Sequence, residues 1–336
     1  MTAENYSPPL VTVGIATHNG GYLALNAIDS ALNQTYQNLE IIVFDDCSNL
    51  EELEALKKKC SSDNRIKFFT QQNNLGSNGN YNAILAKSNG VFFTLFDQDD
   101  CKSPNFIKKC VEALLNDNNA VIAGGDTKVF FNQTHIHTVK MDCLTSNKLT
   151  KNHSQLFLKY MNDFVLYGVI RTRLLKEIGG WENNLQSFNL TTFKLLNLGQ
   201  FVYVKDIFLE YTAKGYLNRP TFLEKQRHSE RKKRKFYFLS KLESFFYLPV
   251  MQSLFVLRTK QPVINIIGVV LNIWYRFLLT NVCKMIYRLL FAVFDEKLPN
   301  VFETSLKKIA YPLIGYHTDI IIYSTGTAYK RGWPLR

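Results

Sequence analysis

The sequence predicts an α/β protein built on a doubly wound, mostly parallel sheet, followed by a helical extension of different character. Three observations carry this. Short apolar, β-branched runs alternate with segments of helical periodicity four times within the first 125 residues. Three of the predicted strands end on polar clusters. From about Phe236 the composition turns to Phe, Tyr, Leu, Ile and Val, with Lys or Arg every few positions. The alternation is the pattern of a sheet covered by helices, whose ligands sit outside the carboxyl ends of the strands.

Leu10 to Ala16 (LVTVGIA) reads as a buried strand, and Thr17-His18-Asn19-Gly20-Gly21 as the turn after it. Leu23, Ala27, Ile28, Ala31 and Leu32 then fall on one helical stripe. Leu39 to Phe44 is a second strand ending on Asp45-Asp46, and Glu51 to Cys60 a helix with acids first and lysines last, as the helix dipole prefers. Ile66 to Thr70 is a third strand. Asn73 to Asn80 reads as a polar, Gly-rich loop, Tyr81 to Lys87 as a helix, and Val91 to Phe96 as a fourth strand ending on Asp97-Gln98-Asp99-Asp100. A helix at Phe106 to Leu115 and a strand at Ala120 to Gly124 follow. Further on, Asn162 to Ile178 reads as a strand running into a helix that stops at Gly179-Gly180, and Phe201 to Glu210 as a strand. A boundary near 215 separates this body (1–215) from the basic, amphipathic region 216–336.

The chain has 336 residues, 46% of them hydrophobic, enough for a large core and unlike a disordered or fibrous composition. Its formal charge of +12 concentrates after Lys214, in the run Lys225, Arg227, Arg231, Lys232, Lys233, Arg234, Lys235 and Lys241. An acidic partner suits that excess. The run lies beside apolar residues, and no helix-turn-helix or RNA-binding motif accompanies it, so the expected partner is an anionic membrane surface rather than nucleic acid. Val263 to Leu279 (VINIIGVVLNIWYRFLL) is the most apolar stretch, interrupted by Asn265, Asn272 and Arg276. It reads first as an interfacial amphipathic helix, with a membrane span and a buried or homodimer helix as alternatives. Six cysteines without a CxxC pair, and a polar start without an apolar leader, suit a reduced cytosolic protein, peripheral on the inner face of the cell membrane.

Asp97, Asp99 and Asp100 place three carboxylates within four residues of a strand end. They repel one another, and a cation or hydrogen-bond donors must neutralise them. Hard oxygen ligands favour Mg2+ or Mn2+, which also grip a diphosphate. Asp45-Asp46-Cys47-Ser48 offers a carboxylate that can accept from a base or ribose; the plainer role is to cap the following helix. Ala16-Thr17-His18-Asn19 could meet a base edge through its backbone, and His18 alone reads as a turn residue.

With these residues in place, VTVGIATHNGGYLALNAIDSALNQTYQNLEIIVFDDCSN resembles the opening of the GT-A-fold family 2 glycosyltransferases. Ser30, Gln34-Thr35-Tyr36, Glu40 and Asp45-Asp46 match the family pattern in type and spacing, and Asn73–Gly76 (NNLG) and Phe96–Asp100 (FDQDD) match its later motifs. The form with Gln between the acids is similar to rhamnosyltransferase-like enzymes and others that build bacterial surface polysaccharides. The resemblance is strong over roughly residues 10 to 125, fair to about 212 and weak beyond. It implies that the Ala16 main chain and Asp46 face the nucleotide base, with Thr17, Asn19 and Asp45 beside them. It sets Asp97 near ribose and diphosphate, and Asp99 on the metal with Asp100 or Asp97 as further ligands. Asn80 falls where some relatives place a diphosphate-binding cation. The implied activity is an inverting, metal-assisted transfer of a sugar from a nucleotide-diphosphate donor to a saccharide or lipid-linked acceptor.

One departure stands out. Inverting members carry a catalytic acid shortly after a GG-aromatic motif. Gly179-Gly180-Trp181-Glu182 is present, but Ser187 or Asn189 falls where the acid is expected, and neither is a competent base near neutral pH. A base from elsewhere (Glu182 or Asp163), an acceptor that needs none, and a catalytically impaired donor-binding scaffold all stay open.

Overall fold

The computed structural model describes residues 7–131, 133–142, 163–182 and 187–212, together with the isolated helical positions Ser253, Val270, Leu271, Trp274 and Leu278. By its internal contacts the chain divides into one compact unit of Met1–Leu149 with Asp163–Thr212 and a second of Thr150–Asn162 with Ala213–Arg336. The basic run and the 263–279 stretch, with the membrane and dimer readings attached to them, lie outside the described residues apart from those isolated positions. Among the described residues no helix is long and apolar enough to cross a membrane.

The first four strands form the parallel part of the sheet. Strand β1 (Val11–Thr17) runs between β2 (Leu39–Asp45) and β4 (Phe92–Asp97), and β3 (Ile66–Thr70) pairs with β2 at the edge. Every residue of β1 and β2 is buried, as continuous apolar runs covered on both faces should be, whereas β3 is half exposed as an edge strand. Helix α1 (Tyr22–Leu32) buries Ala24, Ala27, Ile28 and Ala31. In α2 (Leu50–Cys60) the Asn49 side chain caps the Glu52 N–H, Glu51 and Glu52 occupy the first turn, and Lys57 to Lys59 the last. Helix α3 (Gly76–Lys87) packs so close to β1 that a Cβ on Gly14 would meet Ile84 at 2.6 Å.

The remainder makes the sheet mixed, adding antiparallel strands to the mostly parallel framework that the sequence predicts. Following the two-residue β5 (Cys101–Lys102) and α4 (Phe106–Asn116) come β6 (Ala120–Phe131), β7 (Thr134–Val139), β8 (Val169–Arg171) and β9 (Gln200–Thr212). Strand β8 lies antiparallel between β4 and β6, β9 runs parallel to β6, and β5 and β7 add antiparallel pairings. The path is β3-β2-β1-β4-β8-β6-β9-β5. The predicted strand-to-helix segment at 162–178 is a 3-10 turn (Asp163–Tyr167), the three residues of β8, and α5 (Thr172–Glu177); α6 (Ser187–Leu198) follows.

A correction concerns residues 73–80. Helix α3 starts at Gly76, five residues before the predicted start, so Asn80 lies in a helix rather than a loop. The Asn74 side-chain oxygen, two residues before it, accepts from the Gly76 N–H at 2.9 Å. The Asp46 carboxylate, just past the end of β2, joins it, accepting from the Leu75 and Gly76 N–H groups at 2.8 and 2.9 Å.

Candidate functional site

The three polar clusters meet because the strands end level. Thr17 pairs with Asp45 across β1 and β2, and Ala16 with Asp97 across β1 and β4. Around this edge the polar groups form a tight network. Asp45 accepts from the Ser48 N–H at 3.0 Å and also from its hydroxyl. Asn19 donates its N–H to Ser48 Oγ at 2.9 Å and accepts from the Asn49 N–H at 3.1 Å. The His18 ring lies with Nε2 3.1 Å from the amide nitrogens of both Asn19 and Asn74 and Nδ1 2.8 Å from the Asp46 carbonyl. Amide nitrogens donate, so Nε2 accepts and Nδ1 carries the proton. Gln98 accepts the His18 N–H at 2.8 Å, tying the acidic turn to the β1 turn. Buried Asn80 holds the end of β2 through Nδ2 to the Phe44 carbonyl at 2.9 Å. Its Oδ1, like Thr17 Oγ1, is buried without a partner among the described residues.

The acidic turn divides into two parts. Asp97 accepts a hydrogen bond on each oxygen, from the Tyr81 hydroxyl at 2.8 Å and the Tyr167 hydroxyl at 2.6 Å. Burial raises its pKa against the lowering pull of those two hydroxyls and of Lys102. Asp99 and Asp100 lack such support. Burial, helped by the Asp97 charge, pushes the Asp99 carboxyl up to about 6. Asp100 is fully buried; burial and then the Asp97 and Asp99 charges raise it well above the usual carboxylate range. Its Oδ1 accepts from the Thr212 N–H at 3.2 Å, and its Oδ2 has no partner among the described residues.

That chemistry fits a hard divalent cation. Crowded, destabilised carboxylates with an unmet oxygen relax when a positive charge arrives. No three His, Cys, Asp or Glu side chains among the described residues converge as a ready-made cage. The fit is therefore to an ion of the Mg2+ kind, which one or two carboxylates hold together with substrate phosphates.

Beneath the turn lies a buried cation that the sequence reading passed over. Lys102 Nζ donates to Thr94 Oγ1 at 2.6 Å, the Leu95 carbonyl at 2.9 Å and the Tyr167 carbonyl at 2.6 Å. It sits over the rings of Phe96 and Phe106 at 4.3 and 4.9 Å. Burial lowers its pKa to about 7. Tyr81 and Tyr167 were missed as well. Their partners lie 16 and 70 residues away, and no local signal marks a buried phenol as a hydrogen-bond donor.

The GG-aromatic motif closes the C-terminal end of α5, where the Gly179 and Gly180 N–H groups donate to the Lys176 and Leu175 carbonyls. Gly179 and Gly180 both adopt positive φ, +86° and +67°, and a Cβ on Gly180 would meet Asn82 Oδ1 at 2.4 Å. Asn82 clasps the Trp181 backbone, accepting its N–H at 2.9 Å and donating to its carbonyl at 2.6 Å. The buried Trp181 ring stacks at a tilt on Tyr81 and Phe93. Glu182 pairs with Lys194 of α6 at 2.6 Å. Asp163 opens the 3-10 turn. Ser187 and Asn189 are buried in the first turn of α6, which carries no acid.

The family model for glycosyl transferase family 2 matches residues 12–179, half of the chain. A "GalNAc(5)-diNAcBac-PP-undecaprenol beta-1,3-glucosyltransferase" of Campylobacter jejuni is 40% identical over 93 residues, covering 27% of this chain and 30% of that one. The chain spans 21% to 36% of the length of the first curated relatives it matches. Among solved structures, S. aureus TarS 1-349 in complex with UDP-GlcNAc has a TM-score of 0.59 at 15% identity, over 97% of this chain and 93% of that one. The mannosyltransferase PcManGT of Pyrobaculum calidifontis, in complex with GDP-Man and Mn2+, has a TM-score of 0.56 at 15% identity, over 98% and 89%. At such identities the likeness carries the fold, a mixed α/β sheet of the GT-A kind. With its motifs on one strand-end edge and half its length matched by the family model, the chain belongs to glycosyl transferase family 2.

Proposed function

We propose that the chain transfers a sugar from a nucleotide-diphosphate donor to a saccharide or lipid-linked acceptor in cell-envelope polysaccharide assembly, with inversion and with a divalent cation. The observation that carries this reading is the acidic turn: buried carboxylates in register with the ends of β1 and β2, with Asp100 Oδ2 unmet among the described residues. In this reading the Ala16 main chain, Thr17, Asn19, Asp45 and Asp46 face the nucleoside, Asn80 borders the diphosphate, and Asp97 accepts from the ribose. Asp99 and Asp100 hold Mg2+ or Mn2+, with Asp97 adjoining. The bound ion supplies positive charge to the departing diphosphate. Proteins it resembles whose names record an undecaprenol-linked saccharide, UDP-GlcNAc, and GDP-Man with Mn2+ favour the acceptor, donor and metal classes of this reading. The basic, apolar sequence after Phe236 suggests residence on the inner face of the cell membrane, near a lipid-phosphate acceptor, and leaves a homodimer through that region open.

The test is calorimetric titration with UDP, GDP and dTDP, each with and without Mn2+, on the wild type and on Asp99→Ala. One nucleotide should bind only with metal. Removing a carboxylate that pairs with a buried cation should weaken that binding by at least about 30-fold. Absence of binding to all three sinks the proposal.

A second reading has an observation of its own. The first turn of α6 carries no acid, and Glu182 is paired with Lys194. Donor binding with neither transfer nor hydrolysis would make the chain a donor-binding scaffold or regulator.

A further inference from the structure

We propose that Tyr81 and Tyr167 are positioning residues for the donor: their hydroxyls clasp the two oxygens of Asp97 and hold that carboxylate in one orientation for the nucleotide. The inference rests on the donor-binding reading above. Each phenol takes one oxygen, at 2.8 and 2.6 Å, and a carboxylate has about four acceptor sites. The clasp thus restrains rotation of the side chain while leaving about two acceptor sites for a ligand.

The arms come from different parts of the fold. Tyr81 belongs to α3, and Tyr167 closes the 3-10 turn that leads into β8. Both are nearly buried, at 6% and 7% exposure. Phe188, at the start of α6, touches both rings, 5.7 Å from Tyr81 and 5.6 Å from Tyr167 between centroids. Lys102 fixes the far arm by donating to the Tyr167 carbonyl at 2.6 Å while bonding Thr94 and Leu95 of β4. The strand that delivers Asp97 therefore also anchors one of the tyrosines that aims it. A phenylalanine would pack equally well at either position, so the packing does not require the hydroxyls. Their work is on Asp97, and an acceptor held before the ligand arrives has no orientation left to lose on binding.

The experiment titrates the nucleotide that the wild type binds, with Mn2+, into Tyr81→Phe, Tyr167→Phe and Phe188→Leu, with a thermal melt of each. The Phe variants should each lose about tenfold in affinity while melting close to the wild type. Phe188→Leu loosens the same packing and keeps both hydroxyls, so it should hold its affinity. Either Phe variant suffices if the other fails to fold. Phe variants that bind as tightly as the wild type overturn the inference, and so does an equal loss in Phe188→Leu, which would reduce the tyrosines to packing. A wild type that binds none of UDP, GDP and dTDP overturns the donor reading and this inference with it.

Discussion

Glu40 and Asp100 are both buried carboxylates on one sheet, 5% and 0% exposed, and they sit at opposite ends of its strands. Glu40, near the start of β2, accepts from the Thr12 hydroxyl at 2.6 Å, the Gly90 N–H at 3.1 Å, the Asn89 backbone and amide, and Lys67 at 2.9 Å. Burial alone would raise its pKa, but the bonds from Thr12, Lys67 and Asn89 outweigh it and hold the carboxyl at about 2. Asp100, just past the end of β4, has one bond to a backbone N–H and is pushed well above the normal range by burial and its acidic neighbours. At the amino edge the fold completes its own hydrogen bonds and gains stability. At the carboxyl edge it leaves a carboxylate waiting, at a cost in stability, and such strain is expected where a ligand completes the site.

The largest predicted effect tests the amino edge. Glu40→Gln should destabilise the chain by about 2–3 kcal/mol in urea melts at pH 7, since it removes the Lys67 pair and turns an acceptor toward donors into an amide. The pH dependence has a definite sign. The folded pKa, about 2, lies below the ordinary glutamate value of 4.5, so this stability is fully present above about 4.5 and is lost as pH falls toward 2. The wild type should weaken across that window and Glu40→Gln less so. Equal acid sensitivity in both would remove Glu40 from the account.

A smaller effect of opposite sign tests the carboxyl edge. The folded pKa of Asp100 is raised, so its charged form opposes folding at neutral pH, and that opposition fades as the group takes up a proton. Asp100→Asn should raise stability at pH 7 by about 1 kcal/mol while weakening metal-dependent nucleotide binding, the trade common at functional sites. A destabilised Asp100→Asn variant would place Asp100 with Glu40 as a structural acid and erase the contrast between the two edges.

What the sequence made legible follows the same division by range. Strands β1, β2 and β4 were readable because each is a mainly apolar run closed by acids or a polar turn, and the strand ends in register followed from the alternation. The start of α3 was not, because the Asn74 cap is one Asn in a polar run and the Asp46 carboxylate that completes it reaches Leu75 from 29 residues away. Nor was the antiparallel β8, whose three residues are too few to show a period. Asp97, Asp99 and Asp100 stood out as a local cluster. Tyr81, Tyr167 and Lys102 did not, because a tyrosine or lysine takes on a role at the turn only when a distant strand or helix brings it there.

Glu182 gives the smallest predicted effect and sharpens the comparison at the start of α6. If its pairing with Lys194 is a brace across the corner, Glu182→Gln should cost at most about 1 kcal/mol, the range of partly exposed ion pairs. Transfer should then fall less than tenfold. A general base contributes about 100-fold or more, so a loss of that size with the melt unchanged would return Glu182 to the role of base. A small loss leaves the first turn of α6 without an acid of its own. Transfer would then need another base, Asp163 among the candidates, or an acceptor that requires none. The same assay on Lys194→Met separates the cases, because a brace loses the same small increment from either partner, whereas a base freed of its lysine becomes more basic and should hold or gain rate.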